Sequence, residues 1–411
     1  MSRKPRILLI PNVAWWIIGE MGKQIIARFG DKYEFYFVPE TIFEWRPELL
    51  PRSIAAVDAI HCLNESSISL FRNFNPLTLP PIATWIHHVT NWSPDHQLAI
   101  EWSDALTVCT EGWKQYLDER VSGRIPVTVV PHGVDTTFFE PKVVRSGSFG
   151  IPPGRFVLGF IGNKGSDSDN GRKGTDVLLA VVRRAASQLT NLHVVLGGPG
   201  WESELVALKA EGISASAPGY IRKSDLPDLY SALDVYLLTS RVEGGPCTVF
   251  EAMACETAVV STRVGAVPQL IVDGVNGFSA DVDDQDSLVS AIVALGIASK
   301  KRIEIGKKAR ETVSKVSWGT VLSPLEDVYD QLIKSRGRTD SVLETPPWMS
   351  DSRALLRCAR AADALANVVP RVRSRSISVF KGISLLREML QKQSLLDIAK
   401  GARMLWGRNP G

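Results

Sequence analysis

Several common features are missing from this chain of 411 residues. No uninterrupted apolar run reaches the length of about 18 residues that a membrane-spanning helix needs. The five cysteines are odd in number and form no C-x-x-C pair, which excludes a disulfide-rich framework and favours a reducing, cytoplasmic compartment. Internal repeats and low-complexity tracts are also missing, and the net charge of +3 is too small to indicate a nucleic-acid partner.

The amino terminus has some features of a secretory signal but lacks others. The basic start Ser2–Arg6 precedes the apolar run Ile7–Ile10, but Pro11 and Asn12 interrupt that run. No small-residue cleavage site follows. We therefore expect a first β-strand over Arg6–Ile10 and no secretory leader.

Positive charge is concentrated at the carboxyl end. From Lys334 to Gly411 there are fifteen Lys and Arg against six Asp and Glu, a net charge of +9, so the preceding residues carry −6. Helical periodicity in this basic tail mixes apolar and basic faces. The tail is expected to pack on the protein or a second subunit, to lie on an anionic membrane at the inner face of the plasma membrane, or to be loosely ordered. The sequence favours packing on the protein or a second subunit and docking on a membrane almost equally.

Short apolar segments bounded by turns alternate with segments of helical period, the pattern of a parallel sheet with crossover helices. The first series of predicted strands is Arg6–Ile10, Tyr33–Phe37, Ala59–Cys62, Ile82–Ile86, Ala105–Thr107 and Val127–Val130. The second series is Val157–Ile161, Leu192–Leu196, Val235–Leu238 and Ala258–Ser261. We therefore predict an α/β chain of two doubly wound, Rossmann-like domains.

Composition also indicates where the domains divide. Gly, Ser and Pro accumulate around 146–154, which is typical of a linker. The predicted divisions are an amino-terminal domain at 1–145, a second domain at 155–316, a helix at 317–336 that packs back on the first domain, and a basic helical extension at 337–411.

The most informative stretch is Glu243-Gly-Gly-Pro-Cys-Thr-Val-Phe-Glu251, in which two carboxylates flank a tight turn and a predicted helix start. Glycines let a ligand approach the backbone, and a helix N-terminus attracts phosphate. An ionised carboxylate accepts several hydrogen bonds and so suits sugar or ribose hydroxyls. The glutamate pair alone is uninformative, because such spacings usually mark a solvated helix face.

The surrounding motifs resemble the nucleotide-sugar signature of glycosyltransferase family 4. They are Asp234-Val-Tyr-Leu-Leu-Thr-Ser-Arg-Val-Glu243, Glu251-Ala-Met-Ala254, Val264-Gly-Ala-Val-Pro268 and Asp273-Gly-Val-Asn-Gly-Phe278. The resemblance covers roughly Arg6 to Ile333 and is stronger over the second domain. It implies the GT-B architecture, two Rossmann-like domains facing a cleft, and sugar transfer with retention.

The resemblance also assigns roles to individual residues. It implies that Glu251 holds the donor ribose, that Glu243 contacts the donor sugar, and that Lys173, next to Arg172, neutralises the departing diphosphate. The amides implied to bind the phosphates belong to Gly244, Gly245, Pro246, Cys247, Thr248 and Val249, although a proline contributes no N–H. The loop implied to enclose the base is Tyr220, Ile221 and Arg222.

The chain departs from the family pattern near the phosphate site. Asn163 stands where an arginine is usual, so either Lys164 or Arg172 replaces it or the site is weakened. Asp167-Ser168-Asp169 matches the D-x-D string that binds metal in the other large glycosyltransferase architecture. A loop rich in Gly, Ser and Asn favours Asp simply as a turn former, so we expect no metal there.

In the first domain the predicted strand Ile82–Ile86 runs into His87 and His88, which resemble the family histidine near the reacting sugar. A one-residue register decides which of them faces the cleft, and a buried, hydrogen-bonded histidine is an equally good interpretation. The loop 12–22 contains Gly19 and Glu20 and resembles the family's acceptor-side loop; a simple helix entry is as plausible. Trp15, Trp16 and Trp92 are candidates for an acceptor groove, whereas core packing is favoured for Trp85, Trp102 and Trp113.

Taken together, the residues and the resemblance predict a retaining glycosyltransferase of bacterial surface glycan synthesis. The expected donor is a nucleotide diphosphate sugar, UDP- or GDP-linked, and the acceptor is a glycan or lipid-linked hydroxyl. No cofactor or metal is expected to be required. The alternatives are a sugar-nucleotide epimerase of related fold and a catalytically silent subunit that binds a partner or membrane.

Overall fold

The fold is taken from a computed structural model, which describes residues 3–12, 17–145, 147–164 and 171–336. The predictions for Trp15, Trp16, Asp167–Asp169 and the extension 337–411 concern residues outside these ranges. Within the described ranges, no helix is both long and apolar enough to cross a membrane. The four cysteines in the same ranges carry free thiols.

The first domain is built on one six-stranded parallel sheet. Its strands are β1 (Arg6–Ile10), β2 (Glu34–Phe37), β3 (Ala59–Cys62), β4 (Ile82–Ile86), β5 (Ala105–Val108) and β6 (Val127–Val129), in the order β2-β1-β3-β4-β5-β6. Its helices are α1 (Ile17–Phe29), α2 (Glu40–Trp45), α3 (Leu49–Ala55), α4 (Pro94–Trp102) and α5 (Glu111–Val121). Strand order reverses beside β1, the doubly wound pattern that the alternating segments predict.

The second domain repeats this plan. Its strands are β7 (Phe156–Ile161), β8 (Leu192–Gly197), β9 (Ala215–Gly219), β10 (Val235–Leu238), β11 (Ala258–Thr262) and β12 (Phe278–Ala280), in the order β12-β11-β10-β7-β8-β9. Its helices are α6 (Thr175–Ala186), α7 (Glu202–Ala210), α8 (Leu226–Ser231), α9 (Cys247–Ala254), α10 (Val267–Leu270), α11 (Gln285–Ile297) and α12 (Ser299–Val313). Every strand pairing in this sheet is parallel.

After α12 the chain returns to the first domain through α13 (Trp318–Val321) and α14 (Ser323–Arg336). Their apolar residues Trp318, Leu325 and Tyr329 are buried in the core of the first sheet. The sequence predicts one helix at 317–336, but the structure starts a new helix at Ser323. Pro324 accounts for the break, because proline lacks an N–H and fits only the first turn of a helix.

Candidate active site

Residues from the loops and helices that follow strands of both sheets line one cavity of about 490 Å³ between the domains. The first domain and α13 contribute Ile17, Glu20, Gln24, Gly133–Asp135, Phe138, Phe139 and Trp318. The second domain contributes Ile161–Asn163, Arg172, Lys173, Tyr220, Ile221, Lys223, Leu226, Cys247, Thr248 and Glu251. The topology accounts for this position, since ligands of doubly wound sheets bind outside the carboxyl ends of the strands.

Two cations of the cavity wall, Arg172 and Lys173, pair with the buried carboxylate of Glu243, which is not itself part of the wall. Lys173 Nζ lies 2.6 Å from Glu243 Oε1, and Arg172 Nη1 lies 3.2 Å from Glu243 Oε2. Ser240 Oγ donates to Oε1 at 2.8 Å. Burial raises the pKa of Glu243, but the two cations and the hydrogen bonds outweigh burial, so the pKa lies below its usual value. Glu243 is therefore ionised at neutral pH.

The turn that carries Lys173 requires glycine. Gly174 has a φ of +60°, and a Cβ there would lie 2.0 Å from Thr239 O. The Thr239 hydroxyl donates to the carbonyls of Lys173 and Gly174 at 3.2 and 3.0 Å. These contacts hold the start of α6 against the loop after β10, and so bring Lys173 to Glu243.

The Gly244-Gly245-Pro246 turn packs directly on the first domain. A Cβ on Gly244 would lie 2.1 Å from His87 O, and one on Gly245 would lie 2.8 Å from the His132 ring. Trp113 Nε1 adds an interdomain hydrogen bond to Glu243 O at 3.0 Å. The glycines thus permit a close approach that any side chain would prevent.

Helix α9 begins at the cavity wall. Its N-cap residue, Pro246, provides no side-chain hydrogen bond, so the first backbone N–H groups are not capped by a side chain of that residue. Cys247 and Thr248 line the cavity, and Tyr236 donates to the Thr248 hydroxyl at 2.6 Å. Together with Lys173 and Arg172, this helix N-terminus makes one end of the cavity positive and suited to phosphate.

Glu251 lies one turn further along α9 and also reaches the cavity. Tyr230 donates to Glu251 Oε2 at 2.7 Å. Burial raises the pKa of Glu251 to about 7, and the hydrogen bond from Tyr230 offsets only part of this effect. The two glutamates of the motif thus differ in charge state, since Glu243 has cationic partners and the carboxyl of Glu251 has a neutral one.

The loop after β9 contributes Tyr220, Ile221 and Lys223 to the wall. Arg222, which the resemblance places in this group, instead pairs with Asp225 at 2.8 Å and is not part of the wall. Lys223 crosses the cavity and forms an ion pair with Glu20 at 2.9 Å. Sequence reasoning missed Lys223, because register within a loop is not visible in the residue pattern.

The predicted acceptor-side loop is shorter than expected. Helix α1 already starts at Ile17, so Gly19 and Gly22 lie within the helix. A Cβ on Gly22 would lie 2.4 Å from the Phe37 ring, which explains glycine inside this helix by close packing. Glu20 lines the cavity, whereas Gly19 does not.

Neither predicted histidine belongs to the cavity wall. His87 is buried, and its Nε2 donates to Leu63 O at 2.9 Å. Its Nδ1 points toward Cys109 Sγ at 3.6 Å and His132 Nε2 at 3.5 Å. Burial lowers the pKa of His87 to about 3, so the ring is neutral. His88 is half-buried.

Two features near the phosphate end bear on the departures from the family pattern. Lys164 forms an ion pair with Glu204, whereas Arg172 lines the cavity beside Asn163. Of the two cations considered as replacements for the missing arginine, Arg172 is therefore the one at the cavity.

Trp92, a candidate for an acceptor groove, stacks on His96 and is not part of the wall.

Residues 155–296, most of the second domain, match the family model described as glycosyl transferases group 1. The D-inositol 3-phosphate glycosyltransferase of Corynebacterium jeikeium is 30% identical over 257 residues, or 57% of this chain and 59% of that protein. Lipopolysaccharide core biosynthesis mannosyltransferase LpcC of Rhizobium leguminosarum bv. viciae is 33% identical over 178 residues, or 41% of this chain and 49% of that protein. The chain spans about half the length of the curated relatives it matches.

Solved structures define the fold more completely. Sucrose-phosphate synthase from Thermosynechococcus elongatus superposes with a TM-score of 0.66 at 18% identity, over 81% of this chain and 100% of that one. Anabaena HepE in complex with UDP and glucose has a TM-score of 0.63 at 15% identity, over 80% and 100%. The two-domain GT-B fold is thereby confirmed, and the second domain is similar to group 1 glycosyltransferases.

Proposed function

We propose that this protein is a retaining glycosyltransferase of family 4, which transfers a sugar from a nucleotide diphosphate sugar to a hydroxyl acceptor. The observation that carries the proposal is one interdomain cavity lined by Lys173, the N-terminus of α9 and Glu251, with the carboxylate of Glu243 paired to Lys173. The match of the second domain to group 1 glycosyltransferases supports it, as do the glycosyltransferase and mannosyltransferase activities of the relatives named above.

Each group has a distinct task in this proposal. The N-terminus of α9 binds the donor diphosphate, and Lys173 and Arg172 stabilise the charge that develops on it as the glycosidic bond breaks. The carboxyl oxygens of Glu251 accept hydrogen bonds from the ribose hydroxyls, and those of Glu243 accept them from the sugar. In a front-face attack the acceptor hydroxyl itself forms the new bond to the sugar as the bond to the diphosphate breaks, so no protein nucleophile is required. The leaving diphosphate accepts the proton of that hydroxyl.

Donor turnover in purified Glu243→Ala, Lys173→Ala and Glu251→Ala variants tests this site. We expect each to lose at least about tenfold in transfer rate, because electrostatic stabilisation of a leaving group is worth several kcal/mol. Lys164→Ala is the matched control, since this lysine lies near the site but pairs with Glu204. Undiminished transfer in all three variants would reject the assignment.

Two simpler measurements identify the donor and test the alternative activity of a sugar-nucleotide epimerase. A thermal-shift panel of UDP, GDP and their common sugars identifies the donor, because ligand binding raises apparent stability by mass action. An epimerase would convert the donor sugar without any acceptor. We expect no converted sugar nucleotide when the acceptor is omitted.

We further propose that the protein works as a peripheral protein at an anionic membrane, where lipid-linked acceptors for bacterial surface glycans are reached. The net charge of +9 from Lys334 onward supports this docking. A chain ending at Arg336 should lose sedimentation with anionic vesicles, and neutral vesicles serve as control. Equal binding by the shortened chain would contradict membrane docking, and self-association lost with the same residues would indicate packing between copies.

A further inference from the structure

Three side chains that commonly bind metals meet beneath the Gly244-Gly245 turn. His87 follows β4, Cys109 follows β5, and His132 follows β6, so parallel pairing brings them to one edge of the sheet. We call them the imidazole–thiol cluster. All three are buried, with exposures of 8%, 2% and 4%. Although they contact the loop of the proposed donor site, none of them lines the cavity.

Two of the three separations in the cluster match those between ligands of a single small cation, and the third, between Cys109 and His132, is at most 4.8 Å. His87 Nδ1 lies 3.6 Å from Cys109 Sγ and 3.5 Å from His132 Nε2, and all three ligand atoms lie within 4.8 Å of one another. Ligands of a tetrahedral zinc ion are separated by roughly 3.3–3.6 Å, given its usual bond lengths to nitrogen and sulfur. For two ring nitrogens, 3.5 Å is long for a hydrogen bond. It is normal for two ligands of one ion.

Each imidazole ring is oriented for metal binding by a contact that its other nitrogen makes outside the cluster. His87 donates its Nε2–H to Leu63 O, which leaves the Nδ1 lone pair facing the cluster. Cys247 Sγ donates to Gly245 O at 3.4 Å and therefore accepts from His132 Nδ1–H, which lies 2.8 Å from the sulfur, so the Nε2 lone pair faces the cluster. Metal-bound histidines usually hydrogen-bond through the other ring nitrogen in this way.

From these contacts we propose that His87, Cys109 and His132 bind a zinc ion. Two neutral imidazoles and a thiolate select zinc over magnesium or calcium, which prefer oxygen ligands. Binding displaces the Cys109 thiol proton to solvent. Three protein ligands leave the fourth position to a water molecule, the coordination of open rather than closed zinc sites, although this cluster lies outside the cavity wall.

The ion has a structural role in this proposal. It joins the ends of β4, β5 and β6 into one platform, and Gly244 and Gly245 rest on His87 and His132. The platform thereby sets the position of the loop that leads into α9. Zinc takes no part in the transfer step, and its presence does not depend on whether the protein is a glycosyltransferase.

Metal content and cobalt spectroscopy of the full chain test the site directly. Protein stripped with chelator and reconstituted with zinc should retain one ion per chain after desalting. Cobalt in its place should show the intense visible bands of a tetrahedral centre and a thiolate charge-transfer band. Metal-free protein after reconstitution, together with no cobalt bands, would identify the cluster as ordinary imidazole–thiol packing and overturn the proposal.

Variants locate the site. Cys109→Ser and His132→Asn should each lose the retained zinc, and Cys109→Ser should also abolish the charge-transfer band. Cys255→Ser is the matched control, since Cys255 is another buried free thiol outside the cluster. Zinc should raise the unfolding temperature of stripped wild type and Cys255→Ser, but not of Cys109→Ser. Unchanged zinc content in both cluster variants would place the metal elsewhere and overturn the proposal.

Discussion

At the scale of single residues, the two glutamates of the donor motif show that the groups contacting a buried carboxyl determine whether its pKa is raised or lowered. Both carboxyls lose water, which raises a carboxyl pKa. Lys173 and Arg172 reverse this effect for Glu243, whereas the phenol of Tyr230 does so only in part for Glu251. Glu251 is consequently poised to change charge near neutral pH.

The raised pKa of Glu251 predicts how the free energy of unfolding depends on pH. The folded-state pKa of Glu251, about 7, exceeds its ordinary value of 4.5, so its contribution is fully present below pH 4.5 and is lost as pH rises through 7. The loss is on the order of 3 kcal/mol. Urea unfolding between pH 4.5 and 8 should therefore show wild type losing stability relative to Glu251→Gln.

The control for this measurement is Glu211→Gln. The pKa of Glu211 is lowered by its ion pair with Arg183 on the surface, so this variant should keep the wild-type slope over the same range. Glu65, whose pKa burial also raises to about 7, contributes equally to wild type and variants and cancels in the comparison. Parallel curves for wild type and Glu251→Gln would refute the assigned pKa.

The sequence motifs predict residues of both domains that line the cavity, Lys173, Tyr220 and Glu20 among them, but they do not predict Lys223 or the contacts beneath the Gly244-Gly245 turn. Glu243 and Glu251 are eight positions apart, so a turn followed by a helix suffices to place them. Cys109 and His132 lie on separate strand ends, and Trp113 reaches Glu243 from α5. Their meeting depends on strand order and domain approach, neither of which the local pattern encodes.

At the scale of elements, all six strands of the first sheet and the buried strands of the second were predictable, whereas the two edge strands of the second sheet were not. The bounds of β1, β3, β4 and β10 agree with the prediction, because continuous apolar runs mark strands covered on both faces. The strands β9 and β12 were missed. They lie at the two edges of the second sheet and are only partly buried, so their apolar signal is weak.

The Gly-Gly turn before α9 supports a prediction at this scale. Gly244→Ala places a Cβ 2.1 Å from the backbone oxygen of His87, so the loop must move away from the first domain. We expect a loss of about 1–3 kcal/mol in unfolding free energy, as for other overpacked sites, and weaker donor binding. Urea unfolding and nucleotide titration measure the two effects.

Gly112→Ala is the matched control for this substitution. Its new Cβ would lie 3.9 Å from the nearest atom, at Thr110, and alanine favours the helical backbone of α5. This variant should therefore be at least as stable as wild type. If Gly244→Ala behaves like Gly112→Ala, the close interdomain contact does not exist in solution.

At the scale of the whole molecule, the chain ties its domains together by crossing between them twice. It leaves the first domain after β6 and returns through α13 and α14, whose apolar residues complete the first core. Tyr329 lies in that core with its hydroxyl 2.8 Å from His61 Nδ1, and Lys32 pairs with Asp330 at 2.8 Å. The first domain is thus incomplete without residues that follow the second in sequence.

This dependence predicts unequal effects of two truncations. A chain ending at Ser317 loses the fully or nearly fully buried residues Leu322, Leu325, Val328, Tyr329 and Leu332. Burial of each is worth about 1.5–3 kcal/mol, and their sum is comparable with the whole stability of a domain, about 5–15 kcal/mol. The first domain should therefore unfold, which limited proteolysis will detect as rapid cleavage before the linker at 146–154. A chain ending at Arg336 keeps these contacts and should unfold at the wild-type temperature. Equal protease resistance of the two truncated chains would show that the returning helices are not part of the first core.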